Sequence, residues 1–387
     1  MFNFEYKNPT KILFGKGQIQ SIAKEIPAGS RVMLTYGGGS IRANGVHARV
    51  LAALSACSII EFGGIEPNPE FATLMRAVEI ARVEKIDLLL AVGGGSVLDG
   101  TKFIAAAVPF AGDPWDILAK GAPVQSAVPL ASVLTLAATG SESNSFAVVS
   151  RRELDLKLAF SSPHVYPKFA VLDPETTFSL PPRQVANGVV DAFVHTMEQY
   201  MTFPVDAELN DRFAESILQT LVEVGPKTLA EPTNYNARAT MVWSATLALN
   251  GLIGCGVPQD WATHMIGHEL TALYGIDHAR TLAAVLPHLL RVQAAQKREK
   301  LLQFADRVWG IRQGSEDKRI EAGIQKMEAF FETMGLPTRL ARYDNVAADT
   351  PKTVATRLET RGMVKLGERG DVIPQTVTDI LTRSLAA

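Results

Sequence analysis

The chain has 387 residues, of which 47% are hydrophobic and 20% charged, with a formal charge of −2. That length predicts more than one core, and the near-neutral balance excludes the broad basic surface that nucleic acid demands. No apolar run reaches the roughly 20 residues of a membrane span. Residues 1–17 hold Glu5, Lys7, Pro9 and Lys11 rather than a signal core, and the two cysteines, Cys57 and Cys255, fit no metal or redox spacing; a cytoplasmic protein with reduced thiols is expected.

In chain order, residues 31–36 read as a buried strand, 41–56 as a helix, 58–62 as a strand, 70–83 as a helix and 87–92 as another buried strand. Strand, helix and strand at this spacing predict a parallel α/β sheet. Further strand-like runs occupy 130–134, 146–150, 156–160 and 169–172. After Pro181 and Pro182 long helical patterns replace the strands, so an α/β domain is expected over residues 1–180 and a helical one over 181–387. The charged groups around 296–300 and 316–321 read as solvated helix faces or loops.

Two of the strands end in nearly identical turns, Gly37-Gly38-Gly39-Ser40 and Gly93-Gly94-Gly95-Ser96, each leading into a helix. Glycine lets backbone amides approach a ligand, and a helix N-terminus adds partial positive charge, so the pair points to a phosphate-bearing nucleotide. Neither turn carries the dinucleotide fingerprint, because Arg42 and Leu98 stand where its third glycine belongs, and Thr101-Lys102 reverses the order of a nucleoside-triphosphate loop. A single such turn is as well explained by a tight strand-to-helix connection; two in one sheet favour the nucleotide. The polar run 135–144, with Thr135, Thr139 and Asn144, follows a further strand and offers hydroxyls to phosphate or ribose.

The chain has seven histidines, and four of them lie between residues 195 and 278. Asp191 and His195 are four apart in an apolar helical pattern, which puts them on one face; His264 and His268 repeat that spacing in a second pattern that stops at Gly275, with His278 just beyond. A carboxylate placed in an apolar helix needs a partner, and one carboxylate with imidazoles suits zinc or ferrous iron rather than calcium or magnesium. Spacing does not select which four residues are ligands.

These residues resemble the iron-containing (group III) alcohol dehydrogenases: Phe14-Gly15-Lys16-Gly17, Gly93-Gly94-Gly95-Ser96-x-x-Asp99, Thr139-Gly140-Ser141-Glu142, Asp173-Pro174, Asp191-x-x-x-His195, and His264-x-x-x-His268 followed by His278. Gly37 to Ser40 and residues 182–195 look most like the bacterial NADPH-dependent aldehyde reductase or butanol dehydrogenase branch. The resemblance implies a dehydroquinate-synthase-like fold, with an α/β nucleotide-binding domain, an all-helical metal-binding and substrate domain, and an active site in the cleft between them. It implies Asp191, His195, His264 and His278 as ligands of one divalent ion, zinc or iron(II), with His268 as a catalytic residue beside the substrate. It implies NADP(H) on Gly37, Gly38, Gly39, Ser40, Gly94, Gly95, Ser96, Asp99, Thr135, Thr139, Asn144 and Lys157. Ser40 stands where NAD-using relatives often carry an aspartate that would repel a 2′-phosphate, and Arg42 offers charge nearby. Many members have glycine after the last ligand; this chain has Ala279.

The expected chemistry is hydride transfer between NADPH and an aldehyde or primary alcohol, mainly aldehyde reduction, in a homodimer with no nucleic-acid or membrane partner. The alternative is a lyase of the dehydroquinate synthase type. Such a site grips an acidic substrate, yet residues 251–279 contain no Lys or Arg.

Overall fold

The computed structural model describes residues 1–386. In chain order its strands are β1 (Lys11–Phe14), β2 (Arg31–Tyr36), β3 (Ser58–Phe62), β4 (Leu88–Gly93), β5 (Leu130–Leu134), β6 (Phe146–Arg151), β7 (Leu156–Ser161) and β8 (Phe169–Leu172). Six of them form one parallel sheet in the order β1-β8-β5-β4-β2-β3, and β6 pairs with β7 in a separate antiparallel hairpin. The intervening helices are α1 (Ile22–Glu25), α2 (Ser40–Ala43), α3 (Val46–Ala53), α4 (Phe71–Val83), α5 (Gly95–Ala107) and α6 (Asp116–Ala119).

Continuous apolar strands are what a sheet covered on both faces requires. Val32 and Leu34 of β2 and Leu88, Leu90 and Val92 of β4 pack with Ile22, Ile41, Val46 and Val50 on one face. The alternate residues Met33, Leu89 and Ala91 pack with Leu74, Val78, Phe103 and Ile104 of α4 and α5 on the other. From β2 the chain passes to β3 at the edge, returns across β2 to β4, and continues outward to β5. The strand order therefore reverses between β2 and β4, where open α/β sheets bind their ligands.

The second unit is helical: α7 (Pro182–Tyr200), α8 (Glu208–Ala230), α9 (Tyr235–Ala248), α10 (Ala262–Tyr274), α11 (His278–Val292), α12 (Arg298–Arg307), α13 (Glu316–Thr333), α14 (Thr350–Thr360) and α15 (Pro374–Leu385). Helix α11 is its axis, buried from Thr281 through Leu290 and packed by α7, α10, α13 and α15. By packing, Lys7–Pro181 goes with Pro232–Thr246, and Met1–Tyr6 goes with the helices. Most of α9 thus belongs with the sheet, where the Trp243 ring meets Phe14 edge-on at 5.9 Å and Thr246 donates to Glu142 at 2.5 Å. No helix among the described residues is long and apolar enough to cross a membrane.

One sequence expectation needs correction, and the structure adds to the reading in two further places. The helix expected over 41–56 is two helices, broken at Asn44-Gly45, because Gly45 adopts φ 79° and the Asn44 side chain accepts the Val46 amide. The strands expected at 146–150 and 156–160 form the hairpin and leave the parallel sheet; their short connection turns through Asp155 at φ 50°. Strand β1 was not expected at all, since four half-exposed residues carry too little pattern.

Candidate metal centre and nucleotide turns

Helix α7 places Asp191 and His195 one turn apart on a buried face. Helix α10 does the same for His264 and His268, and stops at Gly275 in the left-handed region, so that α11 starts at His278. The loop before His278 is fixed from α7, because Asp277 accepts Arg183 Nε at 2.7 Å and Asn187 Nδ2 at 2.8 Å.

Asp191, His195 and His264 bring one donor atom each to within 4.8 Å of one another, all buried. The His195 and His264 rings are stacked with centroids 4.7 Å apart. His195 Nε2 lies 3.6 Å from Asp191 Oδ1, and His278 Nε2 lies 3.9 Å from the same oxygen. His278 is thus at the edge of the triple rather than inside it. Asp191 Oδ1 is buried and accepts no hydrogen bond. A buried carboxylate oxygen facing two imidazoles beyond hydrogen-bond reach fits a small divalent cation, which would bond all of these donors at about 2 Å. His268 stands apart from the triple but beside His278, with ring centroids 5.1 Å apart. Ala279 is the second residue of α11, buried and without positive φ, so the missing glycine leaves no strain there.

Two further residues, Trp261 and Glu198, stand against this cluster, and of these the sequence reading missed Glu198. Trp261 starts α10 at φ 63° and sets its ring 5.2 Å from His264 and 6.2 Å from His195. Glu198, one turn beyond His195 on α7, reaches the first turn of α10 and the His264 ring. Burial, then the charge of Asp260, pushes the Glu198 carboxyl above the usual carboxylate range, and its Oε2 lies against His264 Nδ1. Its spacing from Asp191 and His195 is the signal that could have found it.

In the sheet unit both glycine turns sit at the carboxyl ends of β2 and β4, flanking the point where the strand order reverses. Gly39 has φ 97°, and no atom lies within 4 Å of where a side chain at Gly38 would begin. The β4 turn is different. A Cβ on Gly94 would lie 2.9 Å from Leu136, and one on Gly95 would lie 2.6 Å from Thr139, so close packing on the loop over 135–144 accounts for these two glycines.

That loop is clamped by side chains of α5. Asp99 spends both oxygens internally, accepting Ser141 Oγ at 2.6 Å and the Val148 amide at 2.9 Å. Lys102, fully buried, donates to Asn144 Oδ1 at 2.8 Å and to the Phe146 carbonyl at 2.7 Å. Asn144 in turn donates to the Thr139 carbonyl, while Thr139 Oγ1 accepts the Ser141 amide. Gly94, Gly95, Ser96, Asp99, Thr139 and Asn144 are thereby gathered in one place, with Thr135 joined through its amide to the Gly93 carbonyl at 2.9 Å. Lys157 arrives from β7 and donates to Asn68 Oδ1 at 2.9 Å. Asn68, at φ 57° between two prolines, donates its own amide to Ser96 Oγ. Asn68 and Lys102 were not singled out by sequence, since neither lies in a glycine turn. Arg42 is already engaged, by Glu61 at 2.5 Å and Tyr36 OH at 2.7 Å, and so carries less free charge than its sequence position suggested.

A doubly covered parallel sheet with two glycine turns at its reversal point, in a chain that also builds a buried carboxylate–imidazole cluster from three helices, describes a metal-dependent dehydrogenase of the dehydroquinate-synthase-like class. The chain belongs to the iron-containing alcohol dehydrogenase family: residues 9–174 match the description "Iron-containing alcohol dehydrogenase" and residues 185–384 match "Fe-containing alcohol dehydrogenase family, C-terminal". It is 58% identical over 375 residues to the NADPH-dependent aldehyde reductase YqhD of Escherichia coli, covering 96% of this chain and 97% of that one. The crystal structure of E. coli K-12 YqhD superposes with a TM-score of 0.97 at 56% identity, covering 99% of each chain. The NADH-dependent butanol dehydrogenase A of Thermotoga maritima superposes with a TM-score of 0.95 at 34% identity, over 100% of this chain and 99% of the other.

Proposed function

We propose that this protein is an NADP(H)-dependent alcohol dehydrogenase that works mainly as an aldehyde reductase. The observation that carries the reading is the buried, unbonded Asp191 Oδ1 among His195, His264 and His278. Family membership and the similarity to the aldehyde reductase YqhD support the chemistry. A divalent ion, zinc or iron(II), held there would supply polarisation of the aldehyde carbonyl, and NADPH would supply the hydride.

The chain's own residues do the rest. Asp191, His195, His264 and His278 would hold the ion, and the nearly dry setting of the first three strengthens the field they feel. Trp261 covers His195 and His264 and limits water there. His268, whose ring lies beside that of His278, would hand a proton to the reduced oxygen. Gly37 to Ser40 and Gly94 to Ser96 would receive the dinucleotide, with Thr135, Thr139, Asn144 and Lys157 around it and Asp99 holding the loop in place. Ser40 puts no carboxylate against a 2′-phosphate, which favours NADPH. The lyase alternative is set aside, because residues 251–279, which carry His264, His268 and His278, include no cation for an acidic substrate.

We place the enzyme in the cytoplasm, as its two cysteines form no disulfide. We also expect a homodimer, because β1 ends the sheet as an edge strand and Phe14 and Trp243 beside it are exposed. Following NADPH and NADH oxidation with a panel of straight-chain and aromatic aldehydes, with the alcohol product identified, tests the reading. Faster oxidation of NADPH with at least one aldehyde is expected; no oxidation of either nucleotide by metal-loaded protein contradicts it.

A further inference from the structure

We infer that Glu198 is a positioning residue of the candidate metal centre, holding the Nδ1 side of His264 so that Nε2 is presented to the ion. This rests on the proposed metal site, but not on the proposed substrate or nucleotide. Glu198 is 2% exposed, on α7 one turn past His195. Its Oε1 accepts the amides of Thr263 at 2.7 Å and His264 at 3.3 Å, and its Oε2 meets His264 Nδ1. Thr263 and His264 lie in the first turn of α10, whose N-cap, Trp261, gives no side-chain cap. One carboxylate from another helix therefore supplies the missing cap and grips the ring within that same turn.

The consequence is chemical as well as geometric. A histidine binds a metal through one nitrogen while the other keeps its proton, and the group receiving that proton decides which is which. With Nδ1 committed to Glu198, Nε2 is the nitrogen left for Asp191 and His195 to share an ion with. Glu198 thus ties the His264 ring to α7, the helix that carries Asp191 and His195, so that one side chain fixes His264 against the ligand candidates of the other helix.

Glu198→Gln separates this role from packing. The amide keeps the size of the carboxylate but has only one acceptor oxygen. If that oxygen serves the two backbone amides, the NH2 donates to His264 Nδ1 and moves the ring proton to Nε2, where the ion belongs. If it serves Nδ1, the NH2 faces two backbone donors and the turn is pushed away. Zinc affinity of wild type and Glu198→Gln, measured against a chromophoric chelator without nucleotide or aldehyde, is expected to differ by about 10- to 100-fold. Melting of the metal-free forms is recorded alongside.

Equal zinc affinity overturns the inference, including the case in which only metal-free melting falls, because that is what packing alone would do. A wild type that binds no zinc overturns it together with the metal reading of the function, which distinguishes the two failures. Should the variant not fold, nitrogen-15 spectra of the histidine rings in zinc-loaded wild type decide instead. A proton on Nδ1 and zinc on Nε2 of His264 are expected; zinc on Nδ1 overturns the inference.

Discussion

His264 offers the sharpest residue-level test, since it is the ligand candidate that belongs to α10 and faces both α7 residues. His264→Ala should lose the bound ion and lower kcat/KM by about 100-fold or more, with the fold intact, because metal polarisation is worth several kcal/mol. Metal analysis beside circular dichroism checks this, and full metal occupancy in the variant would exclude His264 as a ligand. At Ser40 the expected change is in selectivity. Ser40→Asp should raise KM for NADPH by about tenfold and leave that for NADH nearly unchanged, as a carboxylate repels a 2′-phosphate. Steady-state kinetics with both nucleotides read this out; an unchanged ratio would remove Ser40 from cofactor choice. Lys102 gives a pH prediction. Burial pulls its ammonium down to about 8 against the raising pull of Asp99 and Glu142, while an unfolded lysine keeps its ordinary 10.5. Below the lower value both states are protonated and the burial penalty stands in full. Between the two the unfolded chain alone holds the proton, so stability rises with pH through this window. Relative to Lys102→Met, wild type should gain on the order of 3 kcal/mol from pH 8 to 10.5 in urea melts; a constant difference would show that Lys102 keeps its charge.

At the scale of elements, the turn after β4 and the loop over 135–144 behave as one piece. Gly95→Ala would set a methyl 2.6 Å from Thr139 Cγ2. The expected cost is about 1–3 kcal/mol of stability together with weaker NADPH binding, partly restored by Thr139→Ala. Melting and nucleotide titration of the single and double variants check this. Much of this scale was legible in the sequence. The strands β2, β3, β5 and β8 and the helices α7 and α10 carry periodicity strong enough to place them, and Gly275 marks the end of α10 because only the left-handed region closes it. Failures had local causes. Asn44-Gly45 split a helix whose apolar pattern runs through it, and β1 is too short to show a period. Glu198 and Lys102 escaped notice because a buried charge is recognisable only with its partners, and the groups their side chains hydrogen-bond lie 42 or more positions away.

For the whole molecule, the chain order conceals how its parts are shared. Residues 1–6 pack with the helices and residues 232–246 with the sheet, so a cut at residue 181 would separate Trp243 from Phe14 and Thr246 from Glu142. Residues 1–181 alone should therefore express as a less stable, aggregation-prone fragment, whereas adding residues 232–246 in trans should raise its melting temperature; no change would mean that α9 contributes little to the sheet. The central claim is that a single divalent ion on Asp191, His195, His264 and His278 is required for aldehyde reduction. The most direct test is a titration of metal-stripped protein with zinc or ferrous iron while NADPH oxidation by an aldehyde is followed. Turnover should start near zero, rise in proportion to added metal and level off at about one equivalent per chain; full turnover by the stripped protein, or none at any metal level, would contradict the account.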